Sequence, residues 1–473
     1  MKFRFYVALW AGKILLFIYK LMGKEKDDMP GWIMYKLCPK FLSYVHKPKY
    51  TVAVSGTNGK TTTASLINDV YQELGIKTSF NPGGHNLMAG HCMLMARSVS
   101  FLNKPIVDAA VFEADETSSF KTMGQIKPDA YIVTNICRDS LRRNGHPLFI
   151  RDYIQKALDM MPDTQIYLNA DDPLSCHMQA AKQPIYFGIE KTVEHDPTRY
   201  RIQEYTVCPK CHAKPVYLYS HFIHLGKVVC PNCGYGSPDA DFLGVKVDSE
   251  HKTMEVKEPA YASASAEAKE AAPAKISMSS GSLFNAFNYL AVYAYFRTVG
   301  AGGLSKEEAE RVLSKVKVPK SRETRTTVKG IEVVSNVCKG QTGSSCSVVF
   351  SNLAEEKENL ELVFFLNEEY VNSEAHETIS WYYDADFEFL NRDHIKRIIV
   401  GGENYADYEL RFRMAGIPAE RTVCIPDESK LLDYVTFDGI DRIYVLYETD
   451  WVQEGLKLKE EIVEKLKNTE VKA

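Results

Sequence analysis

The sequence has no surplus of positive charge. Its 57 Lys and Arg stand against 61 Asp and Glu, a formal net charge of -4, which argues against a dedicated nucleic-acid binder, since that class carries a basic excess. It also lacks a disulfide rhythm: eleven cysteines is an odd count, and the two Cys-x-x-Cys pairs among them read as metal ligands. No small-residue cleavage site follows the first apolar stretch, so no secretory signal is read and a reducing cytoplasm is expected. There is no internal repeat. Nor is there a charge-free apolar run of membrane length: the stretch from Phe3 to Met22 is interrupted by Arg4, Lys13 and Lys20. A lysine in mid-span costs about 2.5–3.5 kcal/mol. Lys13 therefore points to an amphipathic helix, either packed on the body or lying on a membrane surface, in which case at the inner face of the plasma membrane.

At 473 residues the chain is too long for one core and implies two or three domains. After the leading helix, Met29-Pro30-Gly31 reads as a turn. Tyr50–Val54 is a β-branched run that leads into a glycine loop, and Thr61–Leu74 follows as a helix. Further buried strands are expected at 109–112, 130–133 and 166–168. This alternation predicts an α/β fold with a mostly parallel sheet. Residues 258–275 are rich in Ala, Glu, Lys and Ser and read as an exposed, mobile insertion or a short exposed helix. A helix over 283–296 follows. The character changes near Pro319. From Gly330 onward, short strands (362–366, 397–400, 442–446) alternate with helices in a second, smaller α/β unit, which closes with a charged helix over 456–466.

The strongest chemical signal is Ser55-Gly56-Thr57-Asn58-Gly59-Lys60-Thr61-Thr62. Between a strand and a helix, such a loop turns backbone N–H groups and a helix N-terminus toward an anion. Lys60 would reach the β- and γ-phosphates of a nucleotide, and the Thr61 hydroxyl would sit on Mg²⁺. Only two residues separate Gly56 from Gly59, where the general phosphate loop has four.

The second signal is Cys208-Pro-Lys-Cys211 and Cys230-Pro-Asn-Cys233. The gap lies in the window of about 15–20 residues typical of zinc ribbons. Four thiolates suit a closed, structural Zn²⁺ site. Gly234 fits a tight knuckle, while His212, His221 and His224 read as bystanders. The remaining cysteines (Cys38, Cys92, Cys137, Cys176, Cys338, Cys346, Cys424) read as small buried residues.

The compact loop Gly-Thr-Asn-Gly-Lys-Thr resembles that of the Mur ligase and folylpolyglutamate synthetase superfamily, which activates a carboxylate as an acyl phosphate and joins it to an amine. The resemblance implies ATP and Mg²⁺ as cofactors, with Gly56, Thr57, Asn58, Gly59, Lys60, Thr61 and Thr62 around the phosphates. Glu113, in Val-Phe-Glu-Ala-Asp-Glu, matches the family's magnesium-binding glutamate, which supplies the hard oxygen such an ion demands. Asn285 and Asn288 match its Asn-x-x-Asn helix facing adenine. Arg322 matches an arginine near the phosphates. Thr134-Asn135-Ile136 and Leu168-Asn-Ala-Asp-Asp-Pro173 resemble two further family turns. The chain departs from the pattern at Cys137-Arg138-Asp139-Ser140-Leu141, where the family continues into an Asp-His pair. The lysine that several amino-acid-adding members carbamylate is not identifiable. Both gaps argue against an ordinary amino-acid-adding reaction.

A Mur-type ATPase interrupted by a Cys₄ ribbon resembles the MurT family, the ligase subunits of lipid II isoglutaminyl synthase. The implied organisation is an amphipathic lead-in (1–47), a Mur-ligase central ATPase domain (48–317) with the zinc ribbon at about 205–236 and the low-complexity insertion at about 258–276, and a C-terminal α/β domain (318–473) contacting ATP and a glutaminase partner. The implied reaction is amidation of the D-glutamate α-carboxylate of the lipid II stem peptide. Its ammonia comes from a GatD-like glutaminase subunit. A glutaminase of that type needs a Gly-x-Cys-x-Gly elbow, and none is present, so nitrogen must come from elsewhere. Ser380-Trp-Tyr-Tyr-Asp384 resembles the family stretch whose aspartate completes the partner's catalytic triad; Asp384 takes that role, with Asp386 its near competitor. Lys339–Gly343 sits where the family has a loop facing ATP. Two alternatives stand beside this reading: a Mur-like ligase that adds an amino acid, and a non-catalytic nucleotide- and zinc-binding protein.

Overall fold

The computed structural model describes residues 2–24, 27–81, 85–138, 146–192, 199–259, 272–319, 323–338, 342–366, 379–448 and 451–469. The chain divides into two compact units. The first comprises Met1–Cys137, Pro147–Asp196 and Tyr205–Val318; the second comprises Arg138–His146, Pro197–Glu204 and Pro319–Ala473.

The first unit is built on a nine-stranded sheet, in the order Ala274–Ser277, Thr253–Lys257, Phe242–Asp248, Ile185–Ile189, Gln165–Asn169, Ala130–Val133, Tyr50–Ser55, Ala109–Glu113, Thr78–Phe80. The seven strands from Phe242–Asp248 to Thr78–Phe80 pair in parallel. Thr253–Lys257 runs antiparallel to both of its neighbours, Ala274–Ser277 and Phe242–Asp248. Val52, Ala53, Val54, Val111, Phe112, Ile132 and Val133 have no exposed surface, the continuous apolar pattern expected of strands covered on both faces. The 258–276 stretch departs from its sequence reading at both flanks. Ala274 and Ile276 are buried in the edge strand, and Glu258 pairs with Arg297 and accepts a hydrogen bond from Tyr293. Residues 260–271 lie outside the described residues.

The leading helix, Lys2–Leu21, buries Phe5, Ala8 and Leu9 in the core of this unit, about 1.5–3 kcal/mol for each large side chain. Its Gly12 lies where a Cβ would stand 2.2 Å from the Met34 sulfur. The expected turn at Met29-Pro30-Gly31 is instead the first turn of a helix, Met29–Leu37. Pro30 is tolerated there because the first helical N–H groups need no intrahelical partner. Gly31 is required for a different reason: a Cβ would stand 2.1 Å from the Ala89 carbonyl oxygen of the helix Met88–Ser98. Among the described residues, no helix is long and apolar enough to cross a membrane.

The second unit carries a six-stranded sheet, in the order Glu323–Val328, Ile331–Val337, Arg442–Tyr447, Leu360–Phe365, Ile395–Gly401, Thr422–Ile425. Its first pair is an antiparallel hairpin and the rest are parallel. Lys329 and Gly330 turn the hairpin in left-handed conformation, φ 48° and 84°, the backbone that matches strand twist in a two-residue turn. Gly343–Ala354 and Tyr405–Met414 contribute to one core, and Leu431–Tyr434 and Val452–Asn468 to another.

Candidate active site

The loop after Tyr50–Ser55 folds as the sequence requires. Gly56 has φ 119°, and a Cβ there would stand 2.4 Å from the Thr134 hydroxyl. Gly59 has φ 88° and precedes the helix Lys60–Glu73; its Cβ would stand 2.5 Å from Asn288 Oδ1. Both glycines are thus fixed by conformation and by close approach. Thr57 N donates to the Asn135 carbonyl at 2.8 Å, and the Thr57 hydroxyl donates to the Cys137 carbonyl at 3.1 Å. The Asn58 carbonyl accepts from Thr134 Oγ1 at 2.6 Å and Asn135 Nδ2 at 3.0 Å. The Thr-Asn-Ile strand end is therefore the brace of the loop.

Lys60 Nζ donates to the Gly56 carbonyl at 2.7 Å and the Thr57 carbonyl at 3.3 Å, and pairs with Glu116 at 2.8 Å. Thr61 Oγ1 donates to Glu113 Oε2 at 2.9 Å, so the hydroxyl and the carboxylate named as magnesium ligands are adjacent. Thr62 is buried in the first turn of the helix. Glu116 was legible only as part of an acidic string; its contact with Lys60 comes from the fold. His91 Nε2 donates to the Glu113 carbonyl at 2.8 Å. Complete burial lowers its pKa to about 4, so the imidazole is neutral.

Asn288 Nδ2 donates to Asn285 Oδ1 at 3.1 Å, and Thr63 Oγ1 to Asn288 Oδ1 at 3.2 Å. The helix bearing them, Leu283–Thr298, is capped by Ser282, which accepts from Asn285 N. Asn288, Thr134, Asn135 and Asn169 form the polar side of a narrow cleft, whose other walls are Phe187, Phe222, Leu225, Phe284 and Phe287. Sequence reading missed those five apolar residues, because they come from three separate segments. Arg322 lies outside the described residues, as do residues 339–341 of the expected ATP-facing loop and residues 139–141 of the departing stretch.

Phe222 and Leu225 belong to the ribbon. Val216–Phe222 and Leu225–Val229 pair as an antiparallel hairpin between the two cysteine pairs. At its tip, His224 Nε2 meets Asp172 Oδ1 at 3.3 Å, and His221 Nε2 donates to the Ile189 carbonyl at 3.0 Å. Asp172 Oδ2 also accepts from Ile136 N at 2.8 Å, which ties the hairpin tip to the loop brace. At the other end, Cys208, Cys211, Cys230 and Cys233 place their sulfurs within 4.8 Å of one another. The pairs Cys208–Cys233 and Cys211–Cys230 are 3.7 and 3.4 Å apart, close to the ~3.8 Å edge of a tetrahedron with Zn–S bonds of about 2.3 Å. The set fits a metal ion. Gly234 takes φ 71° in its knuckle, and His212 takes φ 60° at the equivalent position in the other. The other cysteines are buried except Cys424, which is partly so; Cys338 and Cys346 lie 3.2 Å apart, a proximity the sequence does not reveal.

In the second unit, Asp384 ends the short helix Trp381–Asp384. Its side chain is 26% exposed and lies 3.5 Å from Arg138 Nη1. Gly343 must be glycine beside it, since a Cβ there would stand 2.7 Å from Asp384 Cβ. Asp386 is buried, with its carboxylate accepting from Arg201 N at 2.9 Å. Burial raises its pKa.

Comparison with known proteins bears on the fold that carries this loop. Residues 54–217 match the Mur ligase middle domain, and residues 342–449 match the MurT ligase C-terminal domain. A Streptococcus pneumoniae protein named lipid II isoglutaminyl synthase (glutamine-hydrolyzing) subunit MurT is 25% identical over 446 residues, 93% of each chain. The Staphylococcus aureus protein of the same name is 27% identical over 441 residues, 92% of this chain and 94% of that one. Among solved structures, a pseudomurein peptide ligase type C from Methanothermus fervidus shares the fold with a TM-score of 0.63 at 20% identity, covering 90% of this chain and 80% of that one. The α/β order, the compact phosphate loop and the middle-domain match define a Mur-ligase-type fold. Within that class, the C-terminal match and the near end-to-end relatives narrow the likeness: the chain is similar to MurT proteins over more than nine-tenths of its length.

Proposed function

We propose that this chain is the synthetase subunit of a lipid II isoglutaminyl synthase, which converts the D-glutamate α-carboxylate of the stem peptide to the amide with ATP. The observation that carries this reading is the alignment with MurT proteins over nearly the whole length of both chains. The loop geometry supports it. In this reading the backbone from Gly56 to Gly59 and the side chains of Lys60, Thr61 and Thr62 receive the phosphates. Asn285 and Asn288 face the base, with the phenylalanine-lined slot around it. Arg322 completes the phosphate contacts. Thr61 and Glu113 are the hard oxygen ligands for Mg²⁺, which offsets triphosphate charge when bound. Four thiolates, from Cys208, Cys211, Cys230 and Cys233, hold a structural Zn²⁺.

The chemistry proceeds in two balanced steps. A carboxylate oxygen attacks the γ-phosphorus, the bond to the β-phosphate oxygen breaks, and ADP leaves. Ammonia then attacks the acyl carbon, inorganic phosphate departs with the electron pair of the C–O bond, and the nitrogen sheds a proton. Lys60 neutralises charge on the transferring group, and Glu116 holds the ammonium in place. A GatD-like glutaminase supplies the ammonia, and Asp384 orients that partner's catalytic histidine as the third member of its triad. Exposure and the adjacent Arg138 favour Asp384 over the buried Asp386 for that role.

The test is ADP and phosphate release, with formation of isoglutamine, from the chain, a GatD-like partner, lipid II, glutamine and Mg·ATP. Lys60→Ala should lower amidation by on the order of 10²-fold or more, with the far-ultraviolet circular dichroism unchanged. AMP and pyrophosphate as products, or full turnover by the variant, would overturn the reading.

A further inference from the structure

The leading helix has two apolar faces, and the body of the protein covers one. Phe5, Ala8 and Leu9 are buried. On the other side, Phe3, Val7, Trp10, Ile14, Phe17 and Leu21 form a single stripe at helical spacing, and all six are exposed. The exposure is large where it is least expected: Phe3 is 79% accessible, Phe17 63% and Leu21 73%. From Ile14 to Met22 no residue is buried at all. The stripe does not end at the helix. The Trp10 indole donates to the Phe101 carbonyl at 2.9 Å, and Phe101 and Leu102, in the adjoining loop, are themselves more than half exposed. A scattered exposed apolar side chain needs no explanation, but a continuous band does.

Charge identifies what fits this band. Residues 1–49 contain ten Lys and Arg and three Asp and Glu, a net +7, in a chain whose total is -4. Arg4, Lys13 and Lys20 flank the stripe, and Lys13 lies over the Phe101 ring, 5.3 Å from its centroid. A second copy docking through the same patch would set like charges against each other. An anionic bilayer offers the complement to both features: hydrocarbon for the stripe and negative headgroups for its basic margin. Long lysine side chains can rise to the headgroups while their stems line the apolar zone.

We infer that the exposed stripe of the helix Lys2–Leu21, with Phe101 and Leu102 beside it, is a docking face for an anionic membrane surface. The helix lies in the interface plane, since its buried face is committed to the protein core. Docking itself does not depend on the reaction. Its use rests on the proposed function: a lipid-linked substrate is met at the bilayer it sits in.

The experiment is sedimentation of the full chain with vesicles of phosphatidylglycerol and phosphatidylcholine, compared with vesicles of phosphatidylcholine alone. Binding to the anionic vesicles is expected, weakened at least tenfold by 0.5 M salt or by the pair Phe17→Glu and Leu21→Glu. The double variant should keep the wild-type circular dichroism and full ADP release on a water-soluble stem peptide, and lose activity on vesicle-embedded lipid II. Equal binding by variant and wild type, no preference for anionic vesicles, or a dimer broken by the double variant would overturn the membrane assignment. No ADP release by the wild-type chain and its partner on the soluble peptide would count against the reaction reading instead.

Discussion

At the scale of single residues, the site is a set of close approaches that exclude substitution. Gly59 is held against Asn288, and Gly56 against Thr134, so the loop, its brace and the asparagine helix form one packed unit. The type of residue at each point was readable beforehand, since Gly-Lys-Thr after a β-branched strand has few other meanings. The contact of Lys60 with Glu116 was not, because 56 positions separate them and only the parallel pairing of Tyr50–Ser55 with Ala109–Glu113 brings them together. Asp384 and Asp386 are the same residue type two positions apart, and the sequence alone did not separate them. Their surroundings differ: Asp384 is partly exposed beside Arg138, and Asp386 is buried and engaged by Arg201. Asp384→Ala in the complex with the glutaminase should depress glutamine hydrolysis by on the order of 10²-fold or more, while amidation fed with ammonium salt is spared. Parallel loss of both activities would refute the triad role.

At the scale of elements, the ribbon hairpin connects two features the sequence kept apart. The cysteines at one end gather to metal-binding distance, while Phe222 and Leu225 at the other wall the cleft beside Asn288. The Asp172 carboxylate joins the hairpin tip to the loop brace. Removing the metal should loosen the hairpin and withdraw that wall. Stripping the full chain with a chelator is expected to weaken binding of a non-hydrolysable ATP analogue at least tenfold, about 1.4 kcal/mol, by titration calorimetry, with recovery on adding Zn²⁺. Unaltered affinity would mean the ribbon is a separate ornament. The start of the helix Met29–Leu37 shows how an element can mislead. Pro-Gly signals a turn locally, yet Pro30 fits a first helical turn and Gly31 serves a helix–helix contact far away in sequence.

At the scale of the whole molecule, each unit has its own sheet and its own buried clusters. Separate cores predict two transitions in calorimetry. Phe364, fully buried and stacked on Phe350, belongs to the second. Phe364→Ala should cost about 3–5 kcal/mol and lower only one transition, whereas Mg·ATP should raise at least the transition of the unit that carries the phosphate loop, by mass action. A single transition moved by both changes would show that the units unfold as one. What the sequence alone determined was whatever short-range chemistry dictates: the strand–loop–helix around Lys60, the two cysteine knuckles, the α/β alternation and the amphipathic lead-in. The tertiary structure decided what depends on distant segments meeting. The meeting of the apolar cleft walls, the partner of Lys60, the unequal burial of two aspartates and the uncovered face of the first helix all required it, because burial and contact belong to the packed chain and not to local spacing.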